Sequence, residues 1–137
     1  MKKSTFDLTG QVAVVTGANG VLISEMAKAL AAHGAKVALL SRNKEKLANL
    51  ESTIKEAGGE AIAIAGDVTS LESLQAAAVT VKETYGQVDL LVNGAGGNSP
   101  DATAMPGGKT FFELPSEGLK FVTDLNLIGT VLPCQVF

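Results

Sequence analysis

Cysteine occurs once, at Cys134, histidine once, at His33, and tryptophan not at all. A lone thiol cannot close an internal disulfide or build a zinc cluster, and no metal-ligand spacing can be drawn from these residues. Charge of one sign is also scarce. The net charge is −3, and no Lys/Arg stripe appears, which argues against a nucleic-acid partner. No apolar run is long enough to span a bilayer. Lys2 and Lys3 lead into Ser4 and Thr5 rather than an apolar stretch, so no secretory signal is read. Together these absences point to a reducing, cytoplasmic setting. Paired carboxylates and a Ser-His-Asp set are missing too.

What is present is a globular composition, 46% apolar and 18% charged over 137 residues, enough for one domain. Short β-branched runs alternate with longer stretches of helical period. Gln11–Thr16 and Lys36–Leu40 read as buried strands, the first on both faces, and Ala61–Ala65 and Val88–Val92 as a third and a fourth strand. Between them, Gly20–His33 reads as a helix with Leu22, Met26, Ala29, Leu30 and His33 on its apolar stripe and Gly34 as its stop. Lys44–Ala57 is a second helix, striped by Leu47, Leu50 and Ile54. A third runs to about Tyr85, opened by a Thr69/Glu72 capping box and striped by Leu71, Leu74, Ala78, Val81 and Tyr85. Asn93–Pro115 is rich in Gly and Pro and lacks a period, as a functional or disordered connection would. A last helix starts near Ser116, faces inward through Phe121, Leu125, Ile128 and Leu132, and is expected to kink or end at Pro133. The order β-α-β-α-β-α-β-α implies right-handed crossovers and a Rossmann-like, doubly wound parallel sheet.

Ligands of such sheets bind beyond the carboxyl ends of the strands, where strand order reverses. Four segments would lie there. Thr16-Gly17-Ala18-Asn19-Gly20 would bring backbone and a helix N-terminus to a pyrophosphate, or simply make a tight turn. Ser41-Arg42-Asn43 has no carboxylate for a ribose 2′-OH; Arg42 could pair with a 2′-phosphate, which places NADP ahead of NAD. Gly66-Asp67-Val68 could offer a carboxylate to an adenine amino group, or Asp67 could serve only its turn. Asn93-Gly94-Ala95-Gly96-Gly97 would let backbone pass a flat ring, with Asn93 either facing that groove or strapping neighbouring strands.

The joint order of Thr16-Gly17-x-x-Gly20, Asp67-Val68, Asn93-Gly94-Ala95-Gly96 and Asn126 resembles the short-chain dehydrogenase/reductase family over about Leu8 to Phe137. Within it, Thr16–Leu22, Gly96–Ala102 and Phe121–Thr130 look like the D-mannonate oxidoreductases (fructuronate reductases). The resemblance implies an oxidoreductase moving hydride between NADP or NAD and a small carbonyl or alcohol substrate, and an oligomer. It implies that Gly17, Asn19, Gly20 and Leu22 hold the pyrophosphate and nearby ribose, and Ser41 and Arg42 the adenosine ribose or its phosphate. Asp67 and Val68 would flank adenine, Asn93, Ala95 and Gly96 would line the groove towards nicotinamide, and Asn126 would organise a water in a proton relay or bond its own helix.

Two departures stand out. The family's turn usually carries a glycine where this chain has Ile23, whose side chain would push the helix outward or enter the pyrophosphate cleft and weaken binding. The family's catalytic serine and Tyr-x-x-x-Lys should lie beyond Asn126 and are not among the 137 residues; Tyr85 has Asp89, not lysine, four residues on. The chain thus reads as one incomplete cofactor-binding domain, 1–137, without its catalytic half and inactive alone, or as a nucleotide-binding, self-associating module. Phe121, Leu125, Ile128, Leu132 and Phe137 are expected to lack packing partners and drive a symmetric dimer. Cys134 is expected to be a packed thiol, His33 a helix-end residue, and Glu113 a surface or capping carboxylate.

Overall fold

The structure is a computed structural model and describes residues 6–137. Four strands, β1 (Val12–Thr16), β2 (Lys36–Ser41), β3 (Glu60–Ala65) and β4 (Leu90–Asn93), all run parallel in the order β3-β2-β1-β4. The chain steps outward from β1 through β2 to β3, then returns to the opposite side of β1 for β4. That reversal sits between β1 and β4. The register aligns Thr16 with Leu40 and with Asn93, and Ser41 with Ala65, so the four carboxyl ends finish level.

Helices cover both faces. On one face, α1 (Val21–Ala32) and α2 (Lys44–Glu56) bury Ala27, Ala31, Leu47, Leu50 and Ile54 against Val15, Val37 and Leu39. On the other, α3 (Leu71–Tyr85) buries Val81 on Val12, Val14 and Ala38, and Leu74 and Ala77 beside Leu40. Every residue of β1 is buried, which is why its sequence shows a continuous apolar run rather than alternation. Gly34 ends α1 as the sequence suggests, and Gly58 and Gly86 end α2 and α3 in the same way; their left-handed φ values are 93°, 86° and 84°.

Three expectations need correction. The stripe of α1 is not Leu22, Met26, Ala29, Leu30 and His33. Leu22 is 78% and Met26 48% exposed, and Ala29 and His33 are also exposed; the inward face is Ile23, Ala27, Leu30 and Ala31. This helix carries two apolar faces, and the sheet takes the one whose alanines allow the closer approach. In α3 the cap is Ser70, whose hydroxyl accepts from the Ser73 N–H at 3.2 Å, rather than a Thr69/Glu72 box. Leu71 is exposed and Ala77 takes the inward place given to Ala78. Thr69 is instead held by Asp67, as described below.

The last helix is also different. It runs as α4 (Ser116–Thr123), a π-helical turn over Asp124–Ile128 and α5 (Gly129–Val136), which continues past Pro133 rather than ending there. The wider turn rotates the residues before it relative to those after it. Leu125, Leu132, Val136 and Phe137 pack inward against the α3 side of the core, while Phe121 and Ile128 are exposed. Phe137 therefore has partners. Pro133 is fully buried, and that burial offsets the loss of one helix hydrogen bond.

Replacing Leu47 by Ala, at the centre of the α2 face, should cost about 2–5 kcal/mol in urea unfolding. Leu22→Ser on the outer face of α1 should change stability by less than about 0.5 kcal/mol, and a large loss there would place that face in a packed interface.

Candidate cofactor-binding cleft

A cleft of about 580 Å³ opens beyond the level strand ends, within the size range of small-molecule sites. Its lining brings together Gly17, Asn19, Gly20, Ser41, Arg42, Asp67, Val68, Ala95 and Gly96 from the sequence reading. Asn43, Gly66 and Gly94 join them from the same strand-end segments, and Leu125, which the sequence did not point to as a ligand residue, completes the lining. Leu22, Asn93 and Asn126 stand outside the lining.

The floor of the cleft is backbone against backbone. Gly17 has φ +63°, and a Cβ there would fall 2.6 Å from the Ala95 nitrogen and the Gly94 carbonyl. Only glycine permits that approach. Thr16 holds the same junction from β1. Its buried hydroxyl accepts from the Gly94 and Ala95 N–H groups at 3.2 and 3.3 Å and lies 3.5 Å from the Val92 carbonyl, to which it donates. This is the strap between strands that Asn93 was considered for. Asn93 is instead exposed, and its Nδ2 donates to the Cys134 sulfur at 3.3 Å, so Cys134 is an exposed thiol rather than a packed one. The one sign of Thr16's role in the sequence is a hydroxyl immediately before the glycine turn.

Ile23 neither enters the cleft nor lines it. Its side chain joins the core and lies over Gly94, where a Cβ would meet Ile23 Cγ1 at 2.6 Å. The bulk lost by having glycine at 94 makes room for the bulk at 23. The expectation that Ile23 intrudes on a pyrophosphate is thereby corrected.

At the end of β3, Asp67 serves its turn. One carboxylate oxygen accepts from the Thr69 N–H at 2.9 Å and the Thr69 hydroxyl at 2.7 Å. Those two bonds hold the Asp67 carboxyl below its ordinary value; partial burial opposes them and the Arg42 charge assists. The second oxygen, Oδ2, makes no hydrogen bond among the described residues and remains able to accept one. Arg42 is exposed and in no ion pair among the described residues, so its five donors are open to an anion.

Asn126 acts on the long connection from 94 to 115. From the π-helical turn its Oδ1 accepts from the Gly97 N–H at 3.0 Å, while its Nδ2 donates to the Gly97 carbonyl and the Val122 carbonyl, each at 2.7 Å. It thus bonds its own helix through Val122, one of the two roles expected for it, and in addition fixes the loop leaving β4 through Gly97. Other local contacts brace the connection. Ser99 opens a short 3₁₀ turn, Lys109 pairs with Asp101, and the Glu113 carboxylate accepts from the Thr110 N–H and hydroxyl, each at 2.8 Å. Gly118 of α4 lets this loop sit down, since a Cβ there would strike the Asp101 carbonyl at 2.3 Å.

Tyr85 lies at the opposite end of the sheet, where Lys36 at the start of β2 stands 5.5 Å over its ring. Its hydroxyl is buried without a hydrogen-bond partner among the described residues, and burial, then Glu60 and Glu51, push its pKa up to about 12. It has no access to the cleft.

Thr16→Val should cost about 1–3 kcal/mol, because two buried N–H groups lose their acceptor. Thr16→Ser should retain most of it. The Asp67 carboxyl is depressed in the folded state, so its contribution is present above the ordinary value near 3.8 and is lost as pH falls through the lower folded value. The stability penalty of Asp67→Ala, read by denaturant titration, should therefore be constant near neutrality and shrink only below about pH 4.

The short chain dehydrogenase family profile matches residues 11–137. The uncharacterized oxidoreductase UxuB of Bacillus subtilis is 44% identical over 96% of this chain and 50% of its own length. A provisionally named D-mannonate oxidoreductase from Haemophilus influenza, solved with bound NAD, superposes with a TM-score of 0.90 at 37% identity, over 96% of this chain and 50% of that one. A metagenomic short-chain oxidoreductase in complex with NADP superposes at 0.81 with 36% identity, over 96% of this chain and 56% of that one. The chain thus spans about half the length of these relatives. With its level strand tips and glycine floor, it belongs to the short-chain dehydrogenase family.

Proposed function

We propose that these 137 residues form the dinucleotide-binding part of an NAD(P)-dependent oxidoreductase, and that NADP is the preferred cofactor. The observation that carries this reading is the side-chain-free junction of Gly17 with Gly94 and Ala95 at the switch point between β1 and β4. It is a cradle of backbone that a single Cβ would fill, and it opens onto a cleft large enough for a nucleotide.

Around it, Gly17, Asn19 and Gly20 would hold the pyrophosphate, aided by the free N–H groups at the start of α1, where Leu22 contributes backbone alone. Ser41 and Arg42 would hold the adenosine ribose and its 2′-phosphate, and Asp67 Oδ2 and Val68 would flank adenine. Ala95 and Gly96 would pass the nicotinamide, with Asn93 beyond them. Asn126 acts as a positioning residue through Gly97 and could also order a water for proton transfer. When bound, the cofactor supplies or accepts the hydride. The likeness to a D-mannonate oxidoreductase supports a sugar acid as the carbonyl or alcohol substrate.

Among the described residues no tyrosine or lysine lines the cleft to protonate a carbonyl oxygen, so the chain by itself should bind dinucleotide without turning over substrate. Exposed Val21, Leu22, Phe121 and Ile128 near the α1 and α4–α5 surfaces favour a homo-oligomer. No helix among the described residues is long and apolar enough to cross a membrane, and an exposed free thiol suits a reducing cytoplasm.

A fluorescence titration tests the main reading. NADPH should bind in the micromolar range and more tightly than NADH, and Arg42→Ala should weaken NADPH about tenfold while sparing NADH, the loss of one charge-assisted contact. Failure of both dinucleotides to bind would reject it. Sedimentation equilibrium should give a dimer or larger species, and a monodisperse monomer would reject the homo-oligomer.

A further inference from the structure

Ile23 stands in the first turn of α1, half-buried and outside the cleft lining. Its side chain joins the core around Val15, Ala18 and Ala27, and from there it touches the backbone of the cleft wall. A Cβ at Gly94 would lie 2.6 Å from Ile23 Cγ1 and 2.7 Å from its Cδ1. In Gly94-Ala95-Gly96-Gly97 every residue but Ala95 is glycine, so the segment has little conformational preference of its own. Its shape must be imposed by its neighbours. Gly17 abuts the peptide joining Gly94 to Ala95, the Thr16 hydroxyl takes their N–H groups, and Asn126 takes both polar groups of Gly97. Against the Gly94 Cα, on the side where a side chain would stand, lie Ile23 and the Thr16 carbonyl.

We infer that Ile23 is a positioning residue for the nicotinamide end of the cofactor, acting from outside the cleft by holding Gly94, Ala95 and Gly96 in place. This role rests on the dinucleotide reading of the main cleft. An isoleucine suits it. A β-branched side chain on a helix has one strongly preferred χ1 rotamer, so its γ-carbons are fixed relative to the helix backbone. Helix α1 is itself seated on the core through buried Ala27 and Ala31. Ile23 therefore transmits the position of α1 to Gly94. With alanine at 23 a void would open against Gly94, and a glycine-rich segment is free to sink into it. The adenosine end does not share this dependence. Ser41 and Arg42 follow β2, and Asp67 and Val68 follow β3. The glycine turn is tied to β2, where the Ala18 N–H donates to the Leu40 carbonyl at 3.2 Å. That turn leans on Ile23 far less, since a Cβ at Gly20 would still stand 3.9 Å from Ile23 Cγ1. Loss of the Ile23 side chain thus separates the two halves of a dinucleotide: the adenosine half keeps its contacts and the nicotinamide half loses them.

Titrations of the whole chain with NADPH and NADH, each set against its own adenosine half, test this. The halves are adenosine 2′,5′-bisphosphate and AMP. Ile23→Ala should weaken the tighter-binding dinucleotide about tenfold and its half by less than about twofold. Ile23→Val lacks only the Cδ1 methyl; it should show the same selectivity at about two- to threefold, and it remains measurable if the alanine variant fails to fold. Ile54→Ala removes a core side chain from α2, away from the cleft, and should leave the ratio of dinucleotide to half unchanged. In the free protein, the amide shifts of Ala95 and Gly96 should move in Ile23→Ala while those of Ser41 and Asp67 stay in place. Equal weakening of dinucleotide and half, a change of ratio matched by Ile54→Ala, or no weakening at all would make Ile23 a core residue only, while the cofactor cleft stands. If neither dinucleotide binds the wild type, the reading of the main cleft fails and this inference with it.

Discussion

The structure depends on one close approach: the backbone of Gly17 against that of Gly94 and Ala95, with no side chain between them. It is made where β1 and β4 lie side by side at the reversal of strand order. Several features follow from it. Thr16 must be small and carry a hydroxyl, because its oxygen is the acceptor for the two N–H groups that the approach leaves pointing inward. Position 94 must be glycine twice over, since both the Thr16 carbonyl and the Ile23 side chain occupy the space its Cβ would take. A glycine-rich cleft is thus a packing consequence as much as a binding device.

The same junction accounts for how this chain tolerates an isoleucine where its family usually has glycine. Helix α1 lies over the end of β4, and the contact is filled from the helix side by Ile23 and left open from the strand side by Gly94. The site keeps its shape because the volume is moved rather than added. Across the cleft, the π-helical turn plays the corresponding part for the loop beyond β4. It presents Asn126 so that one side-chain amide satisfies both the N–H and the carbonyl of Gly97. Gly118 then allows the next stretch of loop to rest on α4. Such turns often occur at functional sites because they free a residue from the regular helix pattern.

Much of this was legible in the sequence, for reasons that differ from element to element. The four strands and α2 were plain because their apolar runs and the Leu47/Leu50/Ile54 period admit one burial pattern. The cleft was legible because a parallel sheet puts all its strand tips on one side, so small polar residues after each strand must meet there. The inward face of α1 is ambiguous in the sequence because Leu22 and Met26 compete with Ile23 and Ala27 for it, and alanine's advantage in close packing is invisible to a hydrophobicity count. The final helix hid its π-helical turn, as no residue type marks one. Thr16 could not be found from its neighbours, since the groups it binds are 78 and 79 residues further along the chain. Asn126 was found, but through family likeness; its bonds to Gly97 depend on a loop with no period to read.

The central claim is that the strand tips themselves receive the dinucleotide. Amide chemical shifts followed by NMR during addition of NADPH test it residue by residue. The account predicts that the largest changes fall together on Gly17, Gly20, Ser41, Asp67, Ala95 and Gly96. Changes centred instead on the apolar groove lined by Leu8, Met26, Leu30 and Val92, or none at saturating nucleotide, would contradict it.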